Sequence, residues 1–253
     1  MLSYPDLLTS AIDIGYHMLI NGAEIRRVED TIQRICTAYH IRQIHVFCIA
    51  SSIVVSIEDP NGVWHNQSRR IKNYNTDMSR LDLLNQLSRD ICSQPFTFEQ
   101  IQERLADIDH CPVYRLGTQC LIYAMSASAF TVFFGGNVHD AAASFLVGAI
   151  VRLILQVLGA MELSQIFTNI LCSAISGAIC VLTCKIGLGQ HLDVIAIGNI
   201  MLLIPGVLLT NSFRDFISGD TITGLLHFSE AIITAICVAS GFVAAGIMTG
   251  GSL

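Results

Sequence analysis

The sequence predicts an α-helical membrane protein: five transmembrane helices preceded by a soluble α+β domain. Two observations carry that prediction. Charge is distributed unevenly, with residues 1–115 holding 25 of the 34 charged side chains and the longer stretch 116–253 holding the other nine. The charge-poor part contains five apolar stretches, approximately 116–134, 141–158, 166–184, 192–210 and 226–249. Each approaches the roughly 20 residues needed to cross about 30 Å of hydrocarbon. The change of character falls near Pro112, so the expected domains are 1–112 and 113–253.

In the front domain, helical spacing runs from Leu8 to Tyr39, and Asn21-Gly22 divides it into helices at about 5–20 and 23–39. Alternation comes next, through Ile44, Val46 and Cys48, and again through Ile53, Val55 and Ile57. Asp59-Pro60-Asn61-Gly62 is a turn signal, and 63–71 reads as the returning strand. Leu81, Leu84, Leu87 and Ile91 restore helical spacing. Thr97 and Gln100 have capping-box spacing, opening a last helix through Ile101, Leu105 and Ile108.

Composition excludes some classes of function. The net charge of -6 with no basic block argues against a nucleic-acid partner. The N-terminal segment has no positive region, and Asp6 and Asp13 interrupt its apolar pattern, so it does not read as a secretory signal. The front domain is therefore expected in the cytoplasm. The nine cysteines lack metal-ligand spacing and read as small packing residues, Cys180 and Cys184 included; no metal or cofactor is expected. Glu24, Arg27 and Glu29 read as a solvated helix face. Ser51-Ser52 near His45 suggests a nucleophile and base without a recognisable triad, and no catalytic residue is assigned. Arg69-Arg70 reads as a surface pair.

Polar residues inside apolar spans need a reason. Asp140 either caps the second span or carries protons. Arg152 either reaches the interface or lines a polar cavity where it would bind a carboxylate. Asn199 and Pro205-Gly206 share one span. Proline removes a backbone donor and disturbs the Met201 carbonyl, giving either a packing kink or a broken helix at a transport site. Asn211, Arg214, Asp215 and Asp220 fall in what reads as the one substantial inter-helix loop. The two acids either relay protons at a gate or are neutralised by Arg214. Glu230 either sits at the interface or carries protons. Short loops without Lys or Arg between the first two spans, and Arg104 and Arg115 before them, place the front domain inside and the C-terminus outside.

Together these residues resemble the threonine/serine exporter family. The resemblance is carried by Gly22-Ala23-Glu24, Arg27-Val28-Glu29 and Arg69-Arg70-Ile71 in the front part. In the membrane part it is carried by Phe133-Phe134-Gly135-Gly136, Asp140, Gly148, Gly198 to Gly206, Asn211, Arg214-Asp215, Gly219-Asp220 and Gly224. The resemblance implies proton-driven export of small polar metabolites, either threonine/serine-type amino acids or dicarboxylates such as succinate. It also implies the larger subunit of a split, two-protein form, in which a short membrane partner supplies a second transmembrane half. The implied assembly is a hetero-oligomer in the cell membrane. On this reading Arg152, Asn199, Pro205, Gly206 and Asn211 bind substrate, and Asp140, Asp215, Asp220 and Glu230 couple to protons or gate. The alternatives are a membrane-anchored hydrolase and a regulatory subunit of another transporter.

Overall fold

A computed structural model describes residues 3–72, 76–94, 96–111, 114–161 and 163–250, so the break at Pro112 lies outside the described residues. The chain divides into two units: residues 1–112 with 210–228, and residues 113–209 with 229–253.

In the first unit, α1 (Tyr4–Ile20) and α2 (Ile25–Ala38) precede three antiparallel strands, β1 (Gln43–Ile49), β2 (Ser52–Glu58) and β3 (Trp64–Arg70), paired in the order β1-β2-β3. Then come α3 (Met78–Ser93) and α4 (Phe98–Asp109). Asp59 shapes the β2–β3 turn by accepting from the Asn61 and Val63 N–H groups at 2.8 and 2.9 Å, and Gly62 takes the left-handed φ of +81° there. Thr97 and Gln100 form the expected reciprocal cap of α4. The core lies between the helices and the inward face of the sheet, where Ile12, Met18, Ile25, Ile32, Ile53, Ile57, Leu84 and Ile91 are buried. Every second residue of β2 contributes, as period-two alternation requires.

The second unit contains α5 (Leu116–Phe133), α6 (Val138–Ala160), α7 (Gln165–Lys185), α8 (Leu192–Ile200) and most of α10 (Thr221–Thr249). Four described helices, α5, α6, α7 and α10, are long and apolar enough to cross a membrane. The fourth expected span, 192–210, is not one helix. α8 ends at Ile200, the chain turns through 201–204, and α9 (Gly206–Ser218) begins after Pro205. The last α8-type bond runs from Ile204 N–H to the Ile200 carbonyl. Pro205 has no N–H to continue the series, so the helix breaks there.

Beyond the break the structure departs from the expected loop. Residues 211–218 belong to α9, and only Gly219 and Asp220 separate α9 from α10. Phe213 and Phe216 pack edge-on against Phe228 across this tight turn. Gly224 lets the helices meet, because a Cβ there would lie 3.0 Å from the Ser212 carbonyl.

α5 and α6 approach even more closely. A Cβ on Gly148 would lie 2.8 Å from both the Tyr123 carbonyl and the Ala127 methyl. Gly148→Val is expected to cost about 1–3 kcal/mol through overpacking against rigid backbone. The check is a lowered melting temperature for the purified protein in detergent, with Gly117→Val as the control, since a Cβ there meets nothing within 4 Å.

Candidate functional site

Two groups of polar residues stand out, one in each unit. In the second unit, α5 and α6 pack antiparallel along rows of four-residue spacing that are polar except at Ala127 and Gly148. Gln119, Tyr123, Ala127 and Thr131 of α5 face Arg152, Gly148 and Ser144 of α6, with Asp140 one turn beyond Ser144. Residues four apart share a helix face, so the seam is continuous along both helices.

At one end of the seam Asp140 is fully buried. Its Oδ1 accepts from the backbone N–H groups of Gln190 at 2.7 Å and His191 at 3.0 Å. Its Oδ2 accepts from Asn137 N–H at 3.1 Å and faces His191 Nδ1 at 2.8 Å. The N-cap of α6 is Asn137, and Asp140 is the third helical residue, completing a capping box. The carboxylate therefore binds the start of α6 to the chain entering α8. His191 lies outside the spans, and the Asp140 hydrogen bond and charge raise its pKa above the usual histidine range.

In the middle of the seam, Thr131, Ser144 and Asn199 meet, all fully buried. Thr131 Oγ1 lies 2.6 Å from Ser144 Oγ, and Asn199 Nδ2 reaches Ser144 Oγ at 3.3 Å and the Ile195 carbonyl at 2.9 Å. At the other end Arg152 donates to Gln119 at 2.6 Å and to Gln156 at 2.9 Å. Among the described residues no carboxylate lies within ion-pair reach of this guanidinium. Ser144 and Arg152 are eight residues apart on one helix, about 12 Å along its axis. Arg152 and Asn199 are thus separate positions on one seam and do not touch a single small group together.

The first unit gathers the second group. Asp215 and His227 are both buried, with Asp215 Oδ2 3.0 Å from His227 Nδ1. Arg214 forms an ion pair with Glu24 and does not neutralise Asp215 or Asp220. Glu29 accepts from Cys48 N–H at 2.9 Å. Glu24 and Glu29 are therefore not a plain solvated face: one holds α9 and the other holds β1. Burial pushes the Glu29 carboxyl above the usual carboxylate range; the Cys48 N–H opposes this, and the nearby Asp220 charge adds to it.

That shift has a definite sign. A carboxyl with a raised folded-state pKa contributes stability fully below its unfolded value and loses it as pH rises through the folded value. Glu29→Gln keeps an acceptor for Cys48 and removes the charge. Its melting temperature should match the wild type near pH 4 and exceed it near pH 7. A difference independent of pH would contradict this account.

The remaining expected site residues are dispersed. Pro205 and Gly206 form the α8–α9 break, and Asn211 is half-buried on α9. Glu230 is exposed on α10, and no hydrogen bond or ion pair holds it among the described residues. Ser51 and Ser52 lie at the β1–β2 turn, whereas the His45 ring stacks on Trp64 at 5.4 Å. The serines and His45 are not assembled as nucleophile and base.

Sequence reasoning passes over His191, Thr131 and Gln119, and it notes His227 only as a neighbour of Glu230, although a histidine two turns into an apolar helix beyond an acid-containing segment is a usable signal.

Several helices long and apolar enough to cross a membrane, a polar seam between two of them and a proline-broken helix describe a multi-pass membrane protein. The family model for threonine/serine exporters matches residues 9–249, and the chain belongs to that family. A relative named "Threonine/serine exporter" from Corynebacterium glutamicum is 22% identical over 255 residues, covering 96% of this chain and 50% of its own length. The chain thus spans about half the length of the curated relative it matches. No solved structure matches it significantly.

Proposed function

We propose that this chain is one subunit of a proton-driven secondary transporter that exports small polar metabolites, either threonine/serine-type amino acids or dicarboxylates. The observation that carries the reading is the α8–α9 break beside a buried polar seam in an otherwise apolar bundle. An anchor needs neither feature. Polar groups inside a membrane bundle are costly and mark substrate or ion paths, and broken helices are tolerated where they line such paths.

Parity supports a fifth crossing made by α8 and α9 together. Starting from the front domain, α5, α6 and α7 cross three times. Glu24 of the front domain is ion-paired with Arg214 of α9, so the α9–α10 turn lies on the front domain's side of the membrane. The chain returns to that side only if α8 and α9 jointly cross. From Leu192 to Phe213, just before Arg214, the chain runs 22 residues, close to the roughly 20 that a crossing takes. The C-terminus then lies on the side opposite the front domain, and with the front domain in the cytoplasm, as the basic flank at Arg104 and Arg115 supports, the C-terminus is outside.

In this reading the seam residues Arg152 and Asn199, with the Pro205-Gly206 break and Asn211, line the substrate path. Asp215 and Asp220 couple or gate at the cytoplasmic end. Asp140 sets the outer end of the path by holding α6 to α8. Glu230, exposed on α10, is a weaker coupling candidate. In the proposed assembly a short membrane partner supplies a second transmembrane half. The test is substrate uptake into inverted vesicles carrying this chain and its partner. Uptake should stop when an ionophore collapses the proton gradient. Undiminished uptake would end the proton-driven reading, and full uptake by the partner alone would make this chain regulatory.

A further inference from the structure

The first unit carries a cavity that has no part in the transport path. Its volume is about 740 Å³, within the roughly 300–1,000 Å³ of sites that take small organic ligands. Its walls come from the start of α1, the end of α2, the β2–β3 turn and the start of α4. Four aromatic residues line it: Tyr4, Tyr39, Phe96 and Phe98. One of these walls is fixed in place. The Tyr39 hydroxyl accepts from the Phe96 N–H at 3.1 Å and donates to the Phe96 carbonyl at 3.0 Å. The end of α2 is thereby tied to the segment entering α4 before any ligand arrives.

The charge around the cavity is mostly of one sign. Asp6 and Glu99 line it, no Lys or Arg does among the described residues, and only His40 could offer a positive charge. Asp6 already serves Ser3 at the start of α1, whereas no hydrogen bond or ion pair holds the exposed Glu99 among the described residues. The backbone adds to this polarity. α2 ends at the cavity, and the C-terminal end of a helix dipole favours a cation. α1 and α4 begin there, where an anion would ordinarily be held. Both of those ends are already capped, by Ser3 in α1 and by the Thr97–Gln100 box in α4. A cation, by contrast, finds a free carboxylate, a helix C-terminus and aromatic faces.

His40 also sets this wall apart. It closes α2 through paired backbone bonds, His40 N–H to the Thr37 carbonyl at 2.9 Å and Ile41 N–H to the Cys36 carbonyl at 3.2 Å. It does so with a left-handed φ of +67°. Glycine is the usual residue at that position, and a β-carbon there is strained. A side chain is thus retained at the cavity wall against the local backbone preference.

We propose that this cavity is a binding site for a small organic cation with a flat apolar body, its positive group beside Glu99 and its body against the aromatic walls. The site lies wholly within residues 4–99 and does not rest on the exporter reading. It gives the front domain a ligand of its own.

The test uses the full chain in phosphatidylcholine nanodiscs near neutral pH, with empty nanodiscs as the blank. Equilibrium binding is measured for three probes of similar shape: 2-naphthylmethylammonium, 2-naphthylmethanol and 2-naphthoate. The wild type should bind the ammonium at least about tenfold more tightly than the alcohol, and the naphthoate most weakly. Glu99→Gln keeps the shape and removes the charge. It should bring the ratio of ammonium to alcohol within about threefold while melting within a few degrees of wild type. Asp82→Asn, an exposed acid of α3 away from the cavity, should leave the ratio unchanged.

Equal binding of ammonium and alcohol by the wild type would overturn the proposal, as would tighter binding of the naphthoate. So would a preference that survives in Glu99→Gln, since the positive group would then sit elsewhere. An equal fall in Asp82→Asn would overturn it by reducing the effect to general surface charge. Binding of all three probes no greater than to empty nanodiscs would overturn it too. None of these results bears on transport, so the exporter reading stands or falls on its own test.

Discussion

On the proposed exporter reading, Asp215→Asn is expected to abolish proton-driven transport while leaving substrate exchange across the same vesicles intact. The carboxylate is buried 3.0 Å from the buried His227 imidazole. Acid and histidine side chains in contact within a membrane bundle are the residue types that form proton relays. Asparagine keeps the shape and a hydrogen-bond acceptor but cannot carry the charge. Gradient-driven accumulation should fall to background, whereas counterflow, which needs no net proton movement, should remain within a few-fold of wild type. His227→Gln should behave in the same way, and Asp220→Asn should affect transport less because its carboxylate is less buried. Accumulation that persists in both Asp215→Asn and His227→Gln would take the pair out of the coupling mechanism.

Asp140→Ala is the change expected to cost the most stability. The carboxylate satisfies the backbone N–H groups of Asn137, Gln190 and His191 and faces the His191 ring. Truncation takes the acceptor from three part-buried N–H groups, each costing up to about 1–3 kcal/mol where water does not replace it, and removes half of a capping box worth about 1 kcal/mol. A loss of about 3 kcal/mol or more should lower the melting temperature by several degrees in detergent. Asp140→Asn should recover part of it, because one amide oxygen still accepts. The contribution of the His191 contact is present below the unfolded histidine pKa and fades as pH rises through the raised folded value. The gap between wild type and Asp140→Ala should therefore narrow at alkaline pH. If Asp140→Ala melted like wild type at every pH, the carboxylate would not be the tie between α6 and α8.

Much of the front domain was legible from periodicity. Ile53, Val55 and Ile57 alternate because one face of β2 is buried, and Thr97 with Gln100 announces the start of α4. The apolar spans were legible because hydrocarbon imposes a composition on any helix that crosses it. Where polar residues interrupt those spans, the sequence pointed to Asp140, Arg152, Asn199 and Asp215 as positions needing an explanation. It could not supply their partners. Glu24 and Arg214 are 190 positions apart, and His191 stands 51 positions from Asp140. Neither pairing leaves a periodic trace. The segment after the fourth span was misread as a loop because residues 211–218 look polar, whereas Phe213, Phe216 and Gly224 allow α9 to continue and pack tightly on α10.

By itself the sequence determined which segments must leave water and where a helix must be disturbed, since both arise from local chemistry: side-chain transfer energies and the missing proline N–H. Only the tertiary structure decided which polar groups satisfy one another. Burial forces each donor and acceptor to find a partner, but the partner is set by how helices pack. That packing made Asp140 a tie between helices, paired Asp215 with a histidine, and left Asn199 with one acceptor still open.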